Sequence, residues 1–308
     1  MAELRQRLSG HRLVFPANLQ KSNLAPGGID PALSEADVAF GQPDPRQVME
    51  SPRLQWTHLT TAGYTRYDRQ DLRDALRGRG ALMTNSSSVY AEPCAQHVLA
   101  MMMGLARQLP QSAADQLGSR PWRSAEHRAN SHLLFGQEVL ILGFGAIAAR
   151  LVELLAPFAM QITAVRRRAR GREACAILPV ERVDELLPRA DHVVNILPAN
   201  DSTQNFVDAR RLALMKRSAT FYNIGRGTTV DQSALLDALL AQRIAGAYLD
   251  VTEPEPLPAD HPLWTAPNCY ITPHTAGGHA DEFHRLVRHF ADNFDRFLAG
   301  EALRDRIA

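Results

Sequence analysis

Three short segments carry side chains able to grip an anion and move a proton. Asn223-Ile224-Gly225-Arg226-Gly227 offers an arginine, Asp250-Val251-Thr252-Glu253-Pro254-Glu255-Pro256 offers carboxylates, and Thr272-Pro273-His274-Thr275-Ala276-Gly277 offers a histidine. Each follows a short apolar run that reads as a β-strand, and open parallel α/β sheets bind their ligands at the carboxyl ends of strands. A fourth segment, Gly143-Phe144-Gly145-Ala146-Ile147-Ala148, is a GxGxxA element placed after a strand and opening a helix. Its first glycine permits a tight turn and its second lets backbone approach a pyrophosphate. The small third residue lets helix and strand pack closely, and the helix amino terminus attracts phosphates. An ordinary β–α turn that binds nothing has the same local form; the strand–helix repeats on either side favour a dinucleotide site.

These segments need a scaffold that brings strand ends together. From residue 137 the pattern supplies one: strands over Glu138–Leu142, Gln161–Val165, His192–Leu197, Thr220–Ile224, Ala247–Val251 and Cys269–Thr272, with helices between most of them, including Ile147–Phe158 and Ser233–Ala241. The first hundred residues alternate likewise, with strands at Leu13–Phe15, Asp37–Phe40, Leu54–Leu59 and Ala81–Thr84 and helices near Asp30–Glu35 and Asp68–Leu76. Glu92–Arg107 reads as a long, mostly apolar helix. The polar stretch Gln108–Ser131, broken by Pro110, Gly118 and Pro121, reads as an excursion between domains. Asp281–Leu298 is an amphipathic helix with Gly300 as its stop.

The whole chain sets bounds on function. At 308 residues it accommodates two domains, and 45% apolar with 22% charged residues is the balance of a folded protein. A net charge of +1 gives no field that would favour nucleic acid or a membrane surface. The amino terminus lacks a continuous apolar segment and no stretch is long enough to span a bilayer, so a cytoplasmic protein is expected. Cys94, Cys175 and Cys269 are widely spaced and read as buried thiols, and no histidine–carboxylate cluster has the spacing of a metal site.

Taken together, the glycine loop, Ala213-Leu214-Met215-Lys216, Asn223–Gly227, Val230-Asp231 with its following leucine-rich helix, Asp250–Pro256, His261-Pro262-Leu263-Trp264 and Pro273-His274 resemble the D-isomer-specific 2-hydroxyacid dehydrogenase family, from about Thr60 onward. The resemblance implies two doubly wound parallel-sheet α/β domains, with a Rossmann cofactor domain (98–275) inserted into a flavodoxin-like substrate domain (1–97 and 276–308). It implies hydride transfer between NAD(P)H and a small 2-oxo or D-2-hydroxy acid such as glyoxylate, hydroxypyruvate or pyruvate, in a homodimer. Arg226 then grips the substrate carboxylate and carbonyl oxygen, Glu255 rather than Glu253 keeps His274 protonated, and His274 exchanges a proton with the substrate oxygen. Gly143, Gly145, Ala146 and Ile147 face the pyrophosphate, Leu197, Pro198 and Ile224 line the cofactor pocket, and Asp250 contacts the nicotinamide carboxamide. In Thr61-Ala62-Gly63-Tyr64 the amides of Ala62 and Gly63 bind the substrate carboxylate, with the orientation of Tyr64 and Arg66 left open. Gln96, where the family usually has glutamate, and Ala148, where a third glycine is commoner, depart from the pattern.

Cofactor choice has its own signal. The second strand of a dinucleotide fold normally ends on an acid that accepts the ribose hydroxyls of NAD. Here Arg166-Arg167-Arg168 stands there and no carboxylate is nearby in sequence, so NADP(H) is the expected cofactor, with NAD(H) possible. The alternative is that these arginines fan into solvent. Competing functions on the same fold are formate dehydrogenase, which pairs its histidine with glutamine, phosphoglycerate dehydrogenase without a regulatory domain, and a dinucleotide-sensing corepressor.

Overall fold

Apolar runs flanked by turn residues become strands, and the amphipathic stretches between them become the helices that cover those strands. In the computed structural model, which describes residues 2–16, 27–169, 171 and 173–308, the contacts divide the chain into two units. One comprises residues 1–90 and 278–308 and the other residues 91–277.

The first unit holds a parallel sheet of β1 (Val38–Gly41), β2 (Trp56–Leu59) and β3 (Leu82–Thr84), in that order. Helices Pro45–Glu50 and Gln70–Gly78 form the crossovers and bury Val48, Leu72 and Leu76 against one face, together with Leu54, Leu59 and Met83. The carboxyl-terminal helix Glu282–Leu298 covers the other face: Phe290 stacks on the fully buried Trp56 at 5.2 Å between ring centroids, and Phe294 and Val287 complete that layer with Leu4 and Leu8. Gly300 ends this helix at φ +68°, the left-handed conformation that glycine adopts without penalty. The strand expected at Leu13–Phe15 does not form; Leu13 instead packs against the Trp56 layer, so its apolarity is satisfied without strand pairing.

The second unit is a seven-stranded parallel sheet. Its strands are β4 (Glu138–Leu142), β5 (Gln161–Val165), β6 (Ala176–Leu178), β7 (His192–Asn195), β8 (Thr220–Asn223), β9 (Gly246–Leu249) and β10 (Cys269–Ile271). The spatial order β6-β5-β4-β7-β8-β9-β10 is that of a Rossmann sheet, and the winding reverses between β4 and β7. Six strands were expected here; the seventh, β6, is a half-exposed edge strand that extends the β5 side. Its core is one cluster, including Leu140, Leu142, Val165, Val193, Phe221, Leu235 and Leu249. The apolar helix spans Ser87–Ala106, and the segment expected as an irregular excursion contains two helices, Leu109–Leu117 and Ser124–Asn130. Pro110 lies in the first turn of the former and Gly118 at its end, positions where these residues start and stop a helix. Among the described residues no helix is long and apolar enough to cross a membrane.

Candidate active site

At the winding reversal, β4 runs into Gly143, whose φ of +92° is open only to glycine without strain. A Cβ there would lie 3.2 Å from the Ile196 carbonyl oxygen and 3.3 Å from Leu197 Cδ2, so the turn also needs the missing side chain to pass the β7 end. Gly145 follows as the cap of helix Ala146–Leu155, with no side chain hydrogen-bonded to its first amides. A Cβ on Gly145 would meet nothing, leaving the approach to these amides clear. Ala148 is fully buried, the close helix–strand contact that its small size permits. Leu197 and Ile224 are buried and Pro198 is exposed, all just past the ends of β7 and β8. This cradle fits a dinucleotide pyrophosphate.

Neutral amides fasten the loop that follows β8. Asn195 Nδ2 donates to Asn223 Oδ1 (3.0 Å) and to Thr229 Oγ1 (2.7 Å), while Asn223 Oδ1 also accepts the Gly225 amide (3.1 Å). Thr229 Oγ1 and Asn223 Nδ2 in turn donate to the Arg226 carbonyl oxygen at 2.6 and 3.1 Å. Every one of these side chains is buried, so their polar groups are satisfied by one another. Gly227 must lack a side chain, because a Cβ would fall 1.9 Å from the Thr252 carbonyl oxygen. The guanidinium of Arg226 is half-buried, with Nη1 donating to the Gly225 carbonyl at 2.6 Å. Burial pushes its pKa below the ordinary arginine value, and the negative charge of Glu255 opposes that effect.

The next two strand ends supply the other partners. Asp250, buried past β9, spends its carboxylate on the β10 loop: Oδ1 accepts from Thr272 Oγ1 (2.6 Å) and the Thr275 amide (2.9 Å), and the Ala276 amide reaches both oxygens at 3.1 Å. Its carbonyl accepts the His274 amide at 2.9 Å, holding His274 at φ +52°. There Nδ1 of His274 meets Glu255 Oε1 in a close hydrogen-bonded contact, both groups partly exposed to solvent. Glu253 is exposed, with its backbone N–H and carbonyl both bound by the side chain of Gln232. Arg226, Glu255, Asp250 and His274 therefore come together at the ends of adjoining strands. Thr272 is a further member that sequence alone did not single out: its hydroxyl links Asp250 to Tyr248 (2.6 Å) and to His97 (3.4 Å).

In the other unit, Ala62 and Gly63 follow β2 in a loop whose carbonyls are taken by Asn85 Nδ2 (2.6 Å) and Thr61 Oγ1 (2.6 Å). Tyr64 packs on the apolar core of that unit, and the Arg66 guanidinium lies over the Tyr67 ring. Gln96 is exposed and donates to Glu92 at 2.5 Å. His192 is a buried core histidine, its ring nitrogens on Tyr222 and Gln137, and burial lowers its pKa to about 4.

At the end of β5 the arginine run divides. Arg167 and Arg168 are exposed, whereas the Arg166 side chain turns to Glu173, with Nη1 3.3 Å from Oε1. The sequence places no carboxylate beside this strand end, yet the loop toward β6 carries one back to it.

A Rossmann sheet with a glycine cradle at its winding reversal, beside an arginine and a carboxylate–histidine pair, defines a nicotinamide-dinucleotide-dependent oxidoreductase. Residues 99–276 match the family described as D-isomer specific 2-hydroxyacid dehydrogenase, NAD binding domain. Over 97% of this chain and 92% of its own length, glyoxylate/hydroxypyruvate reductase B of Pectobacterium carotovorum is 30% identical. The D-isomer specific 2-hydroxyacid dehydrogenase of Xanthobacter autotrophicus, solved with NADPH and MES, superposes with a TM-score of 0.79 at 25% identity, covering 100% of this chain and 93% of that one. The NADPH-dependent glyoxylate/hydroxypyruvate reductase of Sinorhizobium meliloti, solved with NADP and malonate, gives 0.69 at 27% identity, covering 88% and 83%. The chain belongs to the D-isomer specific 2-hydroxyacid dehydrogenase family and is an NAD(P)-dependent oxidoreductase of 2-hydroxy acids.

Proposed function

We propose that the enzyme reduces a small 2-oxo acid, of the size of glyoxylate, hydroxypyruvate or pyruvate, to the D-2-hydroxy acid with NADPH as the preferred donor. The observation that carries this reading is the His274–Glu255 contact beside Arg226 at adjoining strand ends. When bound, the reduced nicotinamide supplies the hydride that the carbonyl carbon accepts. Arg226 uses its fork of N–H groups to hold the substrate carboxylate and polarise the carbonyl oxygen, more strongly because the guanidinium is partly desolvated. Glu255 engages Nδ1 of His274 and aims the ring, which leaves Nε2 to give its proton to the forming alkoxide. Solvent then restores that proton. The amides of Ala62 and Gly63 are further donors to the substrate carboxylate in this reading. The amides of Gly145, Ala146 and Ile147 face the pyrophosphate with Gly143 making the turn, Leu197, Pro198 and Ile224 line the pocket, and Arg166 with Arg167 receives the 2′-phosphate. Asp250 both braces the His274 loop and presents Oδ2, which carries a single amide bond, toward the carboxamide.

The test is loss of reduced-cofactor absorbance with each of the three acids, using NADPH and NADH in parallel. Turnover is expected with at least one acid. A charge-assisted contact to the 2′-phosphate contributes about 1.5–3 kcal/mol, so efficiency with NADPH should exceed that with NADH by about ten-fold or more. Tight cofactor binding without turnover of any acid would instead support a sensor.

We also propose a homodimer. The stretch between Met103 and Phe135 exposes Leu109, Leu117, Leu133, Phe135 and Trp122, with Trp122 at 94% and Leu117 at 86% of their full accessible surface. So many large apolar groups in one segment are costly to leave in water and suit a self-complementary contact. Light scattering at micromolar concentration should give twice the 34.1 kDa chain mass, and Trp122→Glu should shift it toward the monomer. A parent protein at the single-chain mass overturns the dimer.

A further inference from the structure

We propose that Glu173 sets the degree of discrimination between NADPH and NADH by competing with the 2′-phosphate for Arg166. The proposal rests on the reading of Arg166 given above. Arg166 directly follows β5, and its amide donates to the Leu178 carbonyl of β6 at 3.1 Å, so its backbone is fixed by the sheet edge. Its Nη1 lies 3.3 Å from Glu173 Oε1. The Glu173 side chain is only 7% exposed and that of Arg166 is 21% exposed. A carboxylate so enclosed needs compensating charge, and Arg166 supplies some of it. Burial raises the neighbouring Cys175 thiol pKa and the Glu173 charge raises it further, consistent with a carboxylate held close in this small loop.

Arg166 thus has two claims on it. A 2′-phosphate brings close to two negative charges to the spot where Glu173 already sits, and the two anions repel while sharing one guanidinium. NADH makes the opposite demand, because its ribose hydroxyls need an acceptor there. The end of β5 offers no acidic side chain, and Glu173 is the carboxylate that the loop brings beside it. One residue therefore weakens the phosphate contact and provides the diol contact. Arg167 and Arg168 are exposed and have no carboxylate partner among the described residues, so Arg166 is where the discrimination is set.

Four proteins decide the matter: parent, Glu173→Gln, Arg166→Gln and the double variant. Dissociation constants for NADPH and NADH and the ratio of kcat/KM are compared. Glu173→Gln keeps the side chain's shape and removes its charge; it should raise the NADPH-to-NADH ratio by roughly three- to ten-fold, the scale of a single partly buried ion pair. Inhibition by 2′-AMP should tighten by a similar factor while inhibition by 5′-AMP does not. In the double variant this gain should disappear. An unmoved ratio in Arg166→Gln overturns the reading of Arg166 itself. A ratio that collapses in Arg166→Gln but stays level or falls in Glu173→Gln overturns the role of Glu173 alone. If Glu173→Gln does not accumulate as folded protein, Glu173→Asp, which withdraws the charge from Arg166, should move the ratio in the same direction by a smaller factor. A level ratio there also overturns the proposal.

Discussion

Replacing His274 by alanine should lower turnover by about two orders of magnitude or more and leave the dissociation constant for NADPH nearly unchanged, since that is the scale of a lost general acid. The imidazole has Nδ1 on Glu255, so its proton-donating nitrogen is aimed by that contact. The backbone beneath is held independently, through the His274 amide on the Asp250 carbonyl and the Thr275 and Ala276 amides on the Asp250 carboxylate. Truncating the ring therefore removes the proton and not the loop. Glu255→Gln should lose less, because the amide oxygen can keep the imidazole aimed and only the carboxylate charge beside it is gone. Single-turnover reduction measured alongside NADPH fluorescence titration separates chemistry from binding, and a His274→Ala enzyme with near-parent turnover would remove His274 from the mechanism.

Arg226→Lys should prove almost as damaging, with a loss of about 10²–10³ in kcat/KM. Lysine keeps the positive charge but gives up the planar fork, and two charge-assisted hydrogen bonds at about 1.5–3 kcal/mol each cover that range. The loop itself should survive, because Asn223 and Thr229 hold the main-chain oxygen of Arg226 and do not depend on its side chain. Both KM for the 2-oxo acid and kcat should suffer, with NADPH affinity within about two-fold of the parent, as expected for a group that touches substrate in the ground and transition states. A loss in kcat/KM below ten-fold would show that Arg226 does not make the fork contact.

The sheet that carries these groups was legible because its central strands are continuous apolar runs, such as Val139–Leu142, punctuated by Gly143 or Asn residues at their carboxyl ends. The segments that carry Arg226, Glu255 and His274 were legible as strand-end loops for the same reason, while the choice of Glu255 over Glu253 came from the family resemblance. What escaped was set by chain path and not by pattern. β6 is three residues long and half-exposed, and the apolar run that holds it, Ala174–Leu178, is cut short by Pro179. Leu13–Phe15 has that apolar character, but Leu13 spends it on the Trp56 layer. Pro110 and Gly118 read as breakers, yet they start and stop a short helix whose end residues Leu109 and Leu117 are exposed. Glu173 lies seven residues past Arg166 in an arginine-rich loop, and no spacing rule places those two side chains against each other.

The first unit is assembled from both ends of the chain, and this has a consequence for how the protein is made. Residues 91–277 are contiguous, so their sheet can close as soon as β10 has left the ribosome. The β1–β3 sheet is synthesised much earlier, yet one of its faces is covered by Phe290 and Phe294. Until those residues emerge, more than 200 positions after Trp56, the indole and its neighbours lack the aromatic part of their partner layer. Chains ending before residue 282 and released from the ribosome should therefore carry a closed Rossmann sheet and a sticky amino-terminal one, and it is the latter that holdase chaperones would grip.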